Sequence, residues 1–487
     1  MDVVAGAGLI ASGGVILFTA GSNAARFRVR IVGMLALGFF VNFFARGNIP
    51  GLFERLEQQL DLSISQLGAL PMAAELAGAL SLPLWGLLSD KYLSRLPLIF
   101  AASFVLSGIA TGSSGLAVDF VSMLATRAVA GVFILSLYTL ASTFLIHLFE
   151  ADKRGRLFGA LALFTALGSF AGTICGAIVG SHPTLWRYLF GAVGGVMCVY
   201  GACSLVSLRD FTPRVYDSGG SHLKFWGSIL RKPTFVVLSL TSALNNLPFL
   251  ALSFLLLWFR YVGFSEAESN EIFAFAAVGV CIGGVIGGAV SDRAFRLSGR
   301  PTARVAVSQA AILVTLAFAM GLMFGVERDG ASFWAFCACI FFLGFFVIWA
   351  YTGCDLVLIA DIVPRDKMAS GIALTQFIQG MGASFGSLLV GFVAQDAFGY
   401  APRTESIDQL PPEVRAANLS ALTRALATIL ATTWALQLAL YCVVYFTYSR
   451  DRAVADTEKQ SAPPEEPVAH FLQPVSTNSS SMEEEQL

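Results

Sequence analysis

The sequence predicts an all-α polytopic membrane protein, with about 12 transmembrane helices in two six-helix bundles. Three observations carry that prediction. The 487 residues are 56% hydrophobic and only 13% charged, where a soluble chain of this length carries roughly 25% charged residues. Mean hydropathy is +0.72. A charged turn between apolar runs occurs twice, as GLLSDKYLSR from Gly86 to Arg95 and as GAVSDRAFRLSGR from Gly288 to Arg300. A turn repeated in this way points to a chain built twice from one unit.

The elements follow in order. Residues 3–20 are apolar and rich in Gly and Ala, but they begin after Asp2 rather than after a basic segment, which makes a poor secretory signal. Residues 1–30 are therefore read as a leader, cytosolic or lying on the membrane surface, with a weak extra span as the alternative. A span needs about 20 apolar residues to cross roughly 30 Å of hydrocarbon. That rule places helices at 31–50, 66–89, 97–116, 119–147, 156–180 and 186–208, which form an N-terminal bundle over 31–208. A polar, turn-rich link over 209–233 follows as a cytosolic central loop. The second set lies at 234–260, 270–291, 302–325, 332–361, 369–395 and 421–448, giving a C-terminal bundle over 234–449. The tail over 450–487 is rich in Pro, Ser and Glu and is expected to be disordered and cytosolic.

Loop charge sets the expected orientation. Basic residues fill alternate loops (Arg26 to Arg30, Lys91 and Arg95, Lys153 to Arg156, Arg293 to Arg304, Arg450 and Arg452), while Glu54, Glu57, Asp61, Glu266, Glu268 and Glu271 mark the others. The positive-inside rule puts both termini in the cytosol. Net charge is only −1, so no basic field exists to attract nucleic acid. The eight Cys lie in apolar runs without CxxC spacing, and the four His are scattered. No metal, disulfide or nucleophile–base pattern appears, so no enzyme activity and no cofactor are expected. Asn418-Leu-Ser420 is a sequon on the exterior side, close to the last helix.

Ionisable residues inside spans are costly and mark function by default. Arg46 lies near the outer end of helix 1, Glu75 about ten residues into helix 2 and roughly 15 Å deep, and Arg127 about eight residues into helix 4. Two Arg facing one Glu would leave a positive site for an anionic group; a structural Arg–Glu pair is the alternative. In the second bundle Asn245, Asn246 and Pro248 are read as interrupting helix 7. Tyr351, Gln376 and Gln379, with Trp349 and Asp355, are further lining candidates. Gly168, Gly172, Gly176 and Gly180 form one face of helix 5, echoed by Gly382 and Gly386 in helix 11, and suit sliding seams between the bundles or plain packing.

The architecture and motifs resemble the major facilitator superfamily of secondary transporters. Gly86, Asp90, Lys91 and Arg95 match the family's signature between helices 2 and 3, with Gly288, Asp292, Arg293 and Arg300 as its looser echo, and Arg127 and Gly131 look like its Arg-x-x-x-Gly motif. Gly86 would allow close helix packing, and Asp90/Lys91 and Asp292/Arg293 are candidate latches between the bundles. The stretches NFFARGNIPGLFERLEQQLDLS, TRAVAGVFILSLYTLAST and LFEADKRGRLFG are similar to the Spinster-like branch. That branch has Asp-Arg in helix 1 and a Glu in helix 4. Here Ala45 replaces the Asp and Phe133-Ile134 stand near the Glu position, leaving Glu75 as the substitute acid. The resemblance implies a monomeric transporter of a small or amphipathic organic anion, lysolipid-like solutes included, in the plasma or endolysosomal membrane. Proton symport and facilitated diffusion both remain open, as does a non-transporting sensor or scaffold of the same fold.

Overall fold

The computed structural model describes residues 23–148, 151–209, 222–300, 302–326, 332–363, 368–402 and 406–461. Twelve long helices are assigned here as α1 (Asn23–Gly51), α2 (Ile64–Lys91), α3 (Leu96–Ser113), α4 (Phe120–Ile134 with Ser136–Leu148), α5 (Ala151–Gly180) and α6 (Leu185–Leu208). The second six are α7 (Pro233–Ala251 with Leu255–Val262), α8 (Glu266–Ser298), α9 (Thr302–Met320), α10 (Phe333–Val347 with Leu356–Ile362), α11 (Met368–Ala383 with Phe385–Phe392) and α12 (Pro412–Ser461). Among the described residues, eleven are long and apolar enough to cross a membrane, and Phe333–Val347 is a shorter apolar helix. This is an integral, multi-pass membrane protein.

Local signals start the helices where their caps allow. Ser63, Asp119 and Ser265 each accept from the backbone three residues on and close a capping box, with Gln66, Ser122 and Glu268, at the heads of α2, α4 and α8. Gly299, with φ 65°, ends α8 in the left-handed conformation.

Several boundaries differ from the sequence expectation. Helix α1 already runs from Asn23, so Arg28 and Arg30 lie on it rather than in a leader; residues 1–22 lie outside the described residues. Within the central loop His222–Ile229 forms a short helix packed on α11. Helix α7 continues through Asn245, Asn246 and Pro248 and loosens only at the 3-10 turn Leu252–Phe254. Helix α12 runs on to Ser461 because no Pro intervenes before Pro463 and because Asp451 is buried, accepting the Thr234 backbone N–H at 2.8 Å at the head of α7. The rest of the tail lies outside the described residues.

Packing repeats between the two halves. Helix α1 packs on α5, α2 on α4 and α3 on α6, and correspondingly α7 packs on α11, α8 on α10 and α9 on α12. Small residues make these crossings close. A Cβ on Gly168, Gly172 or Gly176 would strike the backbone of Phe40, Phe44 or Asn48 in α1, while Gly382 and Gly386 sit against Ala243 and Leu247 in α7. The glycine faces of α5 and α11 thus lock each bundle internally and are not the seams between bundles. Those seams are α2 on α11 and α5 on α8. In the first, Gly68 meets Ser387, Gly391 meets Ile64 and Gly380 meets Ala79.

Candidate functional site

The bundle has a basic end, with loops bearing Lys91 and Arg95, and an acidic end, with loops bearing Glu54 and Glu266. Cross-bundle hydrogen bonds gather at the acidic end. Ser65 donates to Gln395 at 2.7 Å and Ser387 to the Gly68 carbonyl at 2.7 Å. Arg260, at the end of α7, reaches Glu54 at 3.4 Å and Asp408 at 2.7 Å. Tyr400 donates to the buried Glu57 at 3.1 Å and pairs with Tyr261 at 2.7 Å. The Phe53 and Phe254 rings lie 4.8 Å apart across the same seam. Together these contacts seal that end, leaving a cavity of about 210 Å³ beside Glu54, Arg55, Arg260 and Glu266. Sequence reading missed this seal, although Arg260 and Tyr261, a basic–aromatic pair at the end of an apolar run, were a visible signal.

Deeper in, α1 and α2 bring Arg46 and Glu75 together, with Nε 2.5 Å from the Glu75 carboxylate. Glu75 keeps 8% of its side-chain surface and Arg46 28%. The Arg46 guanidinium also lies over the Phe43 ring, 5.3 Å from its centroid. Gly68 and Ala79, seven residues before and four after Glu75, both touch α11. Residues at those spacings share a helix face, so Glu75 lies on the side of α2 that meets the second bundle. The pair is therefore at the interface of the halves, with net charge zero and one partly accessible cation.

Arg127 is not part of this pair. It is buried and donates to Ser114 Oγ at 3.1 and 2.6 Å, with its guanidinium over the Phe190 ring. It ties α4 to the end of α3 and to α6. The expected site of two Arg around one Glu thus reduces to one Arg and one Glu.

In the second bundle Gln376 donates to the Tyr351 hydroxyl at 3.2 Å, joining α11 to α10, while the buried Gln379 Oε1 has no hydrogen-bond partner among the described residues. Asn245 is buried against Gln437 of α12, and Asn246 donates to the Ser242 carbonyl at 3.0 Å. Trp349 packs over Gly287 and the rings of Phe345 and Phe346, a packing role in place of a lining one. Asp355, fully buried, accepts from Tyr441 at 2.6 Å and Ser242 at 3.0 Å. The Tyr441 partner, 86 residues away, carries no local sequence signal.

The signature motifs also need correction in detail. A Cβ on Gly86 or Gly288 would meet nothing within 4 Å, so neither glycine serves close packing here. Lys91 is exposed, its ammonium 5.4 Å from the Tyr92 ring centroid, and Arg95 and Arg293 are exposed. The Asp90 side chain lies outside the described residues. Asp292 pairs with Arg304 of α9 at 2.6 Å, within its own bundle rather than across the halves. Arg304 is held there by the Phe295 ring and by its reach to the Gly353 carbonyl. The sequon residue Asn418 is buried, exchanging hydrogen bonds of 2.9 Å with both backbone groups of Ala401.

Residues 35–387 match the family model described as Major Facilitator Superfamily. Protein spinster homolog 3 of Danio rerio is 30% identical over 190 residues, covering 38% of this chain and 37% of that protein. The sphingosine-1-phosphate transporter SPNS2 of Xenopus tropicalis is 23% identical over 395 residues, 76% of this chain and 75% of that one. A crystal structure of a bacterial homolog to the human lysosomal transporter Spinster, inward-facing and unoccupied, superposes with TM-score 0.71 at 17% identity. It covers 89% of this chain and 99% of its own. The chain spans about two fifths of the length of the first Spinster-like relatives it matches. A family match over most of the chain and the twelve-helix fold agree, and the chain belongs to the major facilitator superfamily.

Proposed function

We propose that this protein carries an organic anion across the membrane by alternating access, with the anionic group bound at Arg46 and a proton carried on Glu75. The observation that supports this most is the Arg46–Glu75 pair at the bundle interface. Its charge is balanced. An anion arriving alone would leave a net negative charge in a poorly solvated place, which is costly. If Glu75 takes up a proton as the anion pairs with Arg46, the loaded site is neutral. Glu75 would thereby couple proton and anion, while in the empty site it holds Arg46 in position.

The relative named for sphingosine 1-phosphate transport moves an amphipathic molecule bearing a phosphate. That cargo supports an amphipathic anion as the substrate class here. With the basic end placed in the cytosol by the positive-inside rule, the sealed acidic end is the exterior side, closed in this state. The termini are then cytosolic, and the plasma and endolysosomal membranes both fit. Gln376, Gln379 and Tyr351 are proposed to line the cargo path opposite Arg46.

Purified protein in liposomes loaded with a pH gradient tests the reading, using labelled lysophosphatidylglycerol, a phosphodiester with a single negative charge, as cargo and a neutral monoacylglycerol as control. Gradient-stimulated uptake of the anion alone, abolished in Arg46→Ala and partly restored in Arg46→Lys, is expected. Equal uptake by Arg46→Ala would overturn the assignment. An intact fold that moves no member of a lysophospholipid and sugar-acid panel would favour the sensor or scaffold alternative.

A further inference from the structure

The second bundle buries an acid that the anion site does not use. Asp355 has no exposed surface. It sits in a π-turn, Tyr351–Asp355, that interrupts α10, and such turns are frequent at functional positions. Its partners are hydroxyls drawn from two other helices: Tyr441 of α12 at 2.6 Å, and Ser242 and Thr241 of α7 at 3.0 and 3.4 Å. Thr241 gives its hydroxyl hydrogen chiefly to the Leu238 carbonyl at 2.9 Å, so its contact with Asp355 at 3.4 Å adds little, and Tyr441 and Ser242 are the partners that hold the acid.

Among the described residues, the charged and titratable groups around the turn do not supply a counter-ion. From α9, Arg304 reaches the Gly353 carbonyl at 3.5 Å but is engaged by Asp292 of α8 at 2.6 Å. Cys354 is adjacent and buried. From α12, beyond Tyr441, Tyr448 donates to Asp361 at 2.6 Å nearer the basic end. An ionised carboxylate in a dry interior without a paired cation is strongly disfavoured.

We propose that Asp355 is a proton-binding site of the second bundle, carrying its proton while α7, α10 and α12 are packed as here. Binding converts the carboxylate and a proton to the neutral acid, which stays in place by accepting from Tyr441 and Ser242. Loss of the proton to water at the basic end leaves a charge the seam cannot hold, so release requires the α7–α12 contact to open. Among the described residues, the Ser239 hydroxyl on α7 has no hydrogen-bond partner and lies on the basic-end side of Asp355, as does the Tyr448–Asp361 pair. They are the groups through which water would reach the acid from that end.

The proton site is a property of the fold and stands whether or not Arg46 binds the cargo. It is therefore tested without cargo, by infrared difference spectroscopy of the purified full chain at neutral pH. A protonated-carboxyl stretching band is expected in the wild type and in Glu75→Gln, and its loss in Asp355→Asn. The Asn variant keeps the shape of the side chain, and size-exclusion chromatography confirms its fold. Tyr441→Phe, which removes the shortest hydrogen bond and leaves the acid in place, is expected to shift the band. A band unchanged in Asp355→Asn, or unmoved in Tyr441→Phe, overturns the proposal.

Discussion

Replacing Glu75 by Gln separates the two tasks given to that residue. The carboxylate lies 2.5 Å from Arg46 Nε, with 8% of its own side chain and 28% of the arginine exposed. Removing one member of a fully buried pair costs about 3–5 kcal/mol, while exposed pairs contribute about 0.2–1 kcal/mol. Arg46 keeps some water, and the Gln amide oxygen still accepts a hydrogen bond from it. The stability loss should therefore fall between these limits, at about 1–2 kcal/mol, and the variant should fold.

Binding should move the opposite way. In the wild type an anion competes with Glu75 for Arg46, and the same 1–2 kcal/mol of competition corresponds to roughly a 5- to 30-fold penalty in affinity. Glu75→Gln removes the competitor's charge, so binding of the singly charged lysophosphatidylglycerol at neutral pH should tighten by about that factor. Uptake should at the same time become indifferent to the pH gradient, because no proton is needed to neutralise the loaded site. Scintillation binding on purified protein and gradient-driven uptake in liposomes measure the two effects on one preparation. If Glu75→Gln keeps wild-type affinity and gradient stimulation together, the exchange of Glu75 for the anion at Arg46 is wrong.

Other perturbations test the frame around the site. Arg260→Gln removes links to Glu54 and Asp408 whose side chains are 22% and 63% exposed. At about 0.2–1 kcal/mol each, their loss should speed maleimide labelling of a Ser65→Cys reporter at the sealed end several-fold; an unchanged rate would deny Arg260 a part in the seal. Gly172→Leu drives a side chain into the Phe44 backbone and should cost at least about 1–3 kcal/mol, seen as loss of a monodisperse peak. Gly86→Ala, with open space around it, should leave the peak and the melting temperature intact. Asn418→Gln should leave denaturing-gel mobility unchanged, because the buried amide bonded to Ala401 cannot carry a glycan in the folded protein; a downward shift would refute that.

What sequence could show depended on the range of the signal. Span positions follow from hydropathy over about 20 residues, and the duplicated turn is a local string, so both the fold class and the doubling were readable. Arg46 and Glu75 stood out because charge is rare at that depth. Their mutual contact depends on how α1 and α2 are rotated, which no local pattern encodes. The same limit explains Arg127. Its depth was apparent, but its direction is set by Ser114 and Phe190 on two other helices. For the glycine runs, spacing showed a close-packing face without naming the neighbour, which proved to be α1 and α7 inside each bundle rather than the opposing half.

The doubled architecture also isolates what the scaffold does not require. Gly172 meets Phe44 as Gly386 meets Leu247, and Gly131 meets Ala74 as Gly344 meets Ala276. These matched contacts align the halves residue by residue. Carried two positions on from Phe44 and Leu247, they set Phe249 opposite Arg46. Carried one position on from Ala74 and Ala276, they set Ala277 opposite Glu75. The second bundle therefore builds the same crossings with an aromatic ring and a methyl group where the first has an ion pair. Since the crossings form without the charges, the fold does not explain them, and a charge pair kept at the interface at a desolvation cost is better explained by what it binds. Asp355 is the converse case: carried forward from Gly344 and Gly131, its position in the first bundle is Ser142, so the acid too stands on one side alone. The two halves share their helix contacts and divide their buried charges, with the Arg46–Glu75 pair in the first and Asp355 in the second; on the proposals above, the first holds the anion and the second the proton.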